Sequence, residues 1–230
     1  MAGAAGWAFR LGTAGLVAFV VGPLLAHFRI VRAVIGFLVF DVGGFLGIAA
    51  LVAGIVSMVR GRGAGLGLAL GAVVTVAFLA IAFPAGKFPP INDITTDTAT
   101  VPKFVVAGSL DENRGRDMRY AGAALAQRQR QGYPDLRPLP LALPPDEAFK
   151  RVVAAAQQVP DWVITRTDAA RHALEGVATS RVFRFKDDFV VEVRPHDGGS
   201  VVHMRSKSRD GKGDIGANAT RIKTFFAALR

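Results

Sequence analysis

The sequence has no cysteine, two tryptophans, two tyrosines and four histidines. The first absence excludes disulfides, a thiol nucleophile and thiolate metal sites. It leaves the compartment open, because a chain without cysteine suits either redox poise. His27, His172, His196 and His203 form neither an H-x-x-x-H nor an H-E-x-x-H pattern, so no metal site is supported. The Walker spacing G-x-x-x-x-G-K-[ST] and the nucleophile elbow G-x-S-x-G are missing, and no dinucleotide glycine fingerprint is expected. No cofactor is expected, and a binding protein is favoured over an enzyme.

Charge is also scarce, but only in part of the chain. Residues 1–87 carry Arg10, Arg29, Arg32, Asp41, Arg60, Arg62 and Lys87, while residues 88–230 carry the other 39 charged residues and ten of the 12 prolines. Apolar residues reach 51% and the mean hydropathy is +0.34. This is the composition of a membrane segment joined to a water-soluble domain. It excludes a wholly soluble enzyme, a disordered chain and a membrane β-barrel. The net charge of +10 divides evenly, +5 in each part. Much of it is membrane-flanking arginine that bears on topology, and the rest suits anionic lipid better than nucleic acid, which is not expected as a partner.

Three apolar runs, Leu11–Phe28, Ala33–Val59 and Gly63–Ala85, are each long enough to cross about 30 Å of hydrocarbon as helices. The first is not followed by a signal-peptidase-like site and reads as a retained helix. The short connections Arg29–Arg32 and Arg60–Arg62 make the spans antiparallel neighbours. Gly43 with Gly47, Gly63 with Gly67 and Gly67 with Gly71 lie at the spacing that lets helix backbones approach in lipid, within the three-helix unit or against another subunit. Asp41 is the one ionisable group inside a span, with His27 and Arg32 its nearest partners by position. A buried interhelical contact is the favoured role, ahead of an ion site.

Phe88–Pro145 is rich in proline and turn residues and is expected to wrap the domain, with a short helix at Arg116–Gln131. An amphipathic helix follows at Pro145–Val159, opened by proline and two acids. Strands are expected at Trp162–Thr167, Ala173–Phe185, Phe189–Arg194 and Val201–Ser208, with a break at Lys186-Asp187-Asp188 and a tight turn at Asp197-Gly198-Gly199. Asp214 is expected to cap a last helix, Ile215–Leu229. The order α-β-β-β-β-α with sequential strands defines an α+β domain over 146–230 with an antiparallel sheet. Residues 1–87 then form the membrane domain and 88–145 the linker.

Alternation sorts the sheet into two faces. Phe189, Val191, Val193, Val202 and Met204 point towards the helices, while Glu192, Arg194, His203, Arg205 and Lys207 point away, with Thr179 and Arg181 among them. The second face is either covered by the wrap or open to an anion, a lipid headgroup or a protein partner. Gly211, Gly213 and Gly216, with Arg209, Lys212, Asp214 and Asn218, form a second candidate at a helix N-terminus. There, Asp214 occupies the place an anion would take, which favours a turn and cap. Asp187 and Asp188 are expected to be solvated in a connection.

FPPINDITTD, QGYPDLRPLPL, FRFKDDFVVEVRP and above all SKSRDGKGDIGANATRI (Ser206–Ile222) resemble the bacterial family called domain of unknown function 1499, from about Pro89 to the C-terminus. The resemblance implies no catalytic residues, because the family has no established activity. Some relatives look like lipoproteins, which implies an extracytoplasmic domain. This chain lacks their lipobox cysteine and has three helices as anchor. The positive charges flanking the spans are balanced, so the resemblance decides the orientation. The expectation is a multi-pass protein of the bacterial inner membrane with a periplasmic domain that binds a partner or lipid. The alternative is an enzyme acting on an anionic envelope substrate.

Overall fold

The computed structural model describes residues 3–63 and 65–230. The chain forms two compact units. One extends to Lys87 and includes Arg181–Arg184; the other comprises Phe88–Ser180 and Phe185–Arg230.

The first unit holds three helices, α1 (Ala4–His27), α2 (Ala33–Val59) and α3 (Gly65–Ala85). Each is long and apolar enough to cross a membrane. The helices meet backbone to backbone through glycine. Gly22 and Gly36 face each other across α1 and α2, Gly15 lies against Gly43 and Gly47, and Gly12 lies against Gly67 and Leu70 of α3. Gly44, Gly47 and Gly54 seat Phe78, Val74 and Leu68. Both faces of Gly43-Gly47 and of Gly67-Gly71 are therefore used inside the bundle. This is where small residues act in lipid, since association there depends on close van der Waals packing. Gly63 is a correction to the expected spacing: it lies before α3 at φ +61 with nothing within 4 Å of a Cβ. Its carbonyl accepts a hydrogen bond from Ser57 Oγ at 2.7 Å, which satisfies a group near the end of α2.

The second unit is α+β. Its elements are β1 (Asp93–Thr95), α4 (Ala123–Gly132), β2 (Leu139–Leu141), α5 (Pro145–Gln158), β3 (Trp162–Asp168), β4 (Ala173–Thr179), β5 (Lys186–His196), β6 (Gly199–Ser208) and α6 (Ala217–Ala228). The sheet runs β1-β6-β5-β4-β3, antiparallel throughout, with β2 also on β6. The two short strands share one edge of β6, β2 opposite residues 200–202 and β1 opposite 205–207. Asp197 and Gly198, at φ +42 and +77, close the β5–β6 hairpin, as a two-residue turn that follows the strand twist requires.

Two boundaries differ from those expected. The strand from Ala173 stops at Thr179, and Lys186-Asp187-Asp188, expected as a break, opens β5. Local propensity argues against acids in a strand, but here both carboxylates pair with arginines, described below. The helix expected at Arg116–Gln131 is confined to Ala123–Gly132, because Gly122 at φ +83 turns the chain just before it.

The apolar face follows the alternation. Phe189, Val191, Val193, Val202 and Met204 are buried with Ala148, Phe149, Val152 and Ala156 of α5 and Ile222, Phe225 and Phe226 of α6. The Trp162 ring lies 4.1 Å from that of Phe189 and 5.1 Å from that of Phe225, centre to centre. At the β1 edge, the buried Gln129 side chain accepts the Thr95 N–H at 2.9 Å and donates to the Thr95 carbonyl at 2.6 Å. One amide thus substitutes for a neighbouring strand.

The glycine seam leads to a direct prediction. A Cβ on Gly22 would lie 2.5 Å from the Gly36 carbonyl oxygen, and one on Gly43 2.4 Å from the Phe19 nitrogen. Gly22→Leu and Gly43→Leu should each destabilise the bundle by roughly 1–3 kcal/mol or more, as overpacking does. Val20→Leu, on the outer surface of α1, should change it little. Thermal unfolding of the full chain in detergent, followed by size exclusion, will rank the three.

Candidate functional site

The second face of the sheet is built from alternate residues of the three longest-paired strands: Glu175 on β4, Glu192 and Arg194 on β5, and His203, Arg205 and Lys207 on β6. It is not open. Residues 96–122, between β1 and α4, cross it as a strap without strand pairing, containing only two short 3-10 turns at Ala107–Ser109 and Asp111–Asn113.

Arg205 lies at the centre, 2% exposed. Its guanidinium forks onto Asp93, 1% exposed, with Nε–Oδ1 at 2.8 Å and Nη2–Oδ2 at 2.7 Å. The same group donates to the Pro102 and Met118 carbonyls at 3.3 and 3.0 Å. Phe104 and Tyr120 cover it, with ring centres 4.7 and 5.5 Å from its Cζ. Lys207 Nζ adds a second cation to Asp93 at 3.0 Å. Planar bidentate pairing of this kind is the strongest form of charge-assisted hydrogen bond.

Glu175, buried in the middle of β4, accepts the N–H groups of Val105, Val106 and Ala107 at 2.8, 3.1 and 3.1 Å. Arg194 reaches Asp97 at 2.9 Å, the Thr100 carbonyl at 2.9 Å and Glu192 at 2.6 Å. Two backbone N–H groups, from Ala99 and Thr100, also converge on Asp97. Burial would raise the Asp97 pKa, but these donors and Arg194 outweigh it and hold the carboxyl below its usual range. His203 lies next to them, 7% exposed, with Nδ1 3.7 Å from Asp97 and without a hydrogen-bond partner. Burial first, then the Arg194 charge, pushes its pKa down.

Asp187 and Asp188 are corrections. Both were expected to be solvated, yet they are 4% and 0% exposed. Asp188 receives Arg209 through two nitrogens at 2.6 and 3.0 Å and Asn113 Nδ2 at 2.9 Å; Asp187 pairs with Arg221. Arg209 therefore belongs to an internal network, together with Glu112 from the strap. Lys212, three residues on, is exposed.

The start of α6 also differs from expectation. The N-cap is Gly216, at φ +79, and not Asp214. Asp214 lies two residues earlier and still accepts the N–H groups of Gly216 and Asn218, both at 2.9 Å. A left-handed cap residue suits glycine, and the Phe88 ring closes over it, 2.6 Å from where a Cβ would lie. Burial raises the Asp214 pKa against these hydrogen bonds. Asn218 lies in the first turn, as expected, but its amide does not meet the glycine loop. It donates to Ser208 Oγ at 2.8 Å and the Asn92 carbonyl at 3.3 Å, and accepts from Arg221 at 2.7 Å. Gly211, Gly213 and Gly216 do fall at G-x-G-x-x-G spacing. The strand before them pairs only antiparallel, and a carboxylate already holds the helix's free N–H groups, so the dinucleotide arrangement is not met.

Asp41 is half-buried on α2 and, among the described residues, makes no side-chain hydrogen bond or ion pair; His27 closes α1 and is exposed. No group of three potential metal ligands occurs among the described residues. Crevices of about 240 Å³ beside Leu136, Lys223 and Phe226, and of about 330 Å³ beside Leu141 and the Asp197-Gly198 turn, are lined by none of the second-face charges. Sequence reasoning missed Asp93, Glu175 and Asn113. Only Glu175 left a signal, as an acid inside the otherwise apolar run ALEGVAT.

The sequence profile of the family described as protein of unknown function (DUF1499) matches residues 93–229. No curated protein matches the chain.

Two predictions follow from the buried charges. Arg205→Met strands Asp93 with only the partly exposed Lys207. It should cost about 3–5 kcal/mol, with part of that loss recovered in Asp93→Leu/Arg205→Met; urea unfolding of the full chain in detergent measures both. The second concerns pH. A histidine whose folded pKa lies below its unfolded value, roughly 6.5, supports the fold above that pH and opposes it as pH falls through it. Asp97, Glu192, Arg194 and His196 surround His203. Stability should therefore decline from about pH 7 to pH 5, and His203→Gln should flatten that slope.

Proposed function

The chain belongs to the family described as protein of unknown function (DUF1499), and within it we propose a non-enzymatic binding protein of the bacterial envelope. In this reading α1–α3 anchor it in the inner membrane, and the α+β domain lies in the periplasm and binds a protein partner or an anionic lipid headgroup. The observation that carries it is how the domain uses its charged groups. Arg194, Arg205 and Arg209 each hold a carboxylate, and Arg194, Arg205 and Glu175 also hold main-chain groups. This is the chemistry of recognition and not of proton transfer. Arg205, Arg209, Lys212 and Asn218, the set an enzyme for anionic substrates would use, do not converge: the first two are buried in pairs, Lys212 is exposed, and Asn218 is turned to Ser208.

The orientation draws on the family's lipoprotein-like members, because the flanking charges are balanced: Arg10, Arg60 and Arg62 on one side, Arg29, Arg32 and Lys87 on the other. Protease added to spheroplasts should digest the region 88–230, and full protection would reverse the orientation. Affinity purification from native membranes, with mass spectrometry and lipid analysis, should enrich one protein or one anionic lipid class over bulk membrane. Co-purifying lipid of bulk composition with no enriched protein would overturn the binding role.

A further inference from the structure

We propose that the strap, residues 96–122, is a displaceable lid, and that the face beneath it is a receptor for a polypeptide segment of the strap's kind, the site being held in cis by the strap itself. This rests on the binding reading above and locates its site.

The first argument is what the strap lacks. Among the described residues, the apolar core of the domain takes no side chain from it. Its buried apolar residues are the small Pro102 and Ala107, and Val105 is 54% exposed. Lifting the strap therefore gives up little of the burial that holds the fold together.

The second argument is what would remain. A buried charge is costly to leave without a partner, yet the face's charges keep partners outside the strap. Arg205 keeps Asp93 of β1, Arg209 keeps Asp188 of β5, Arg194 keeps Glu192 of β5, and Glu175 keeps Arg166 of β3 at 3.7 Å. The strap is bounded by Gly122 at φ +83 on one side, where a Cβ would meet nothing within 4 Å, and by the turn at Asp97 on the other. Segments with few apolar contacts and exposed connections open below the global unfolding energy.

The third argument is the chemistry of the contact. Glu192 accepts the Lys103 N–H at 3.2 Å, Glu175 accepts three successive N–H groups, and Arg194 and Arg205 donate to the carbonyls of Thr100, Pro102 and Met118. These are main-chain groups, present in any polypeptide: two carbonyls at Thr100 and Pro102, then the N–H groups of Lys103 and of Val105–Ala107, where the strap bends into a 3-10 turn. Phe104 supplies the one aromatic cover over Arg205 within that stretch. A peptide with an aromatic residue directly before a turn that presents successive free N–H groups matches this face. A lipid headgroup has no N–H run to satisfy Glu175 and Glu192.

Amide hydrogen exchange of the full chain in nanodiscs tests this. The amides of Val105–Ala107 should exchange at least about tenfold faster than those of β5 and β6. Glu175→Gln, which keeps the shape and removes the charge, should raise exchange at 105–107 further without altering β5 and β6. A synthetic peptide of Thr98–Met118 at about 1 mM, near the effective concentration of a tethered segment, should accelerate the same amides, and a scrambled peptide should not. If strap and sheet amides exchange together, or Glu175→Gln speeds both equally, the strap is a permanent part of the fold and the lid is overturned. If the strap opens alone but the peptide has no effect, or the scrambled peptide acts equally, the polypeptide receptor is overturned. If only anionic-lipid nanodiscs change strap exchange, the face binds lipid instead. Envelope binding through another surface, seen by affinity purification, would survive any of these failures.

Discussion

The ion pair between Asp93 and Arg205 fixes what the second face of the sheet can be. A guanidinium and a carboxylate that are 2% and 1% exposed have lost their water, and their attraction offsets that loss only if the remaining donors are satisfied. Arg205 has donors to spare after its fork onto Asp93. It directs them at the Pro102 and Met118 carbonyls, so the strap must pass over it at two points sixteen residues apart in sequence. The same pair ties down β1. In the ladder Asp93 stands opposite Lys207 and Thr95 opposite Arg205, so the carboxylate reaches diagonally along β6 and draws a three-residue strand into register. Such a strand has few ladder hydrogen bonds of its own, and Gln129 on its outer side supplies two of the remainder.

The domain is therefore a sheet with two kinds of cover. On one face, α5 and α6 bury large apolar side chains, each contributing about 1.5–3 kcal/mol; this is where stability resides. On the other, the strap meets charge with main chain. Buried ion pairs contribute little net stability compared with apolar packing of similar volume, though breaking one is costly. The second face thus adds specificity of register and position more than energy. That division explains why the strap is closely bonded to the charged face yet adds no side chain to the apolar core, and why Asp187 and Asp188 sit in a strand. Their pairing with Arg221 and Arg209 links β5 to α6 and to the turn after β6, which positions the start of the last helix.

Much of this was legible in the sequence, and the parts that were not share a cause. Period 2 in Phe189–Arg194 and Val201–Ser208 separated the faces, and period 3.6 in Pro145–Val159 and around Ile222–Leu229 placed the helices that cover one of them. These signals work because apolar burial is local and repetitive. Lys186-Asp187-Asp188 reads as a break because the cations that make it a strand, Arg209 and Arg221, lie 21 and 34 positions away. The strap's course depends on Glu175 in the same way, 68 to 70 positions from the amides it holds. Electrostatic partners at such separation leave no period. At the start of α6, Asp214 was legible as a cap in chemistry but not in position. Its carboxylate does accept helix N–H groups, yet the cap is Gly216, at φ +79, where any Cβ would lie 2.6 Å from the Phe88 ring.

The two units solve one problem in two solvents. In lipid, an apolar surface gains nothing by leaving its surroundings, so α1–α3 associate where backbones can touch, through Gly22, Gly36, Gly43 and Gly67. Their large side chains, such as Val20, Leu38 and Val76, can remain on the outside. In water the order inverts. The large side chains go inside, and the charged face, which water would otherwise satisfy, is covered by a segment that meets it with main-chain N–H and C=O and with the side chains of Asp97, Phe104, Asn113 and Tyr120. The unpatterned sequence between β1 and α4 thus follows the face it covers: its course is set by the charges beneath, which bond its backbone at Thr100, Pro102, Lys103, Val105–Ala107 and Met118.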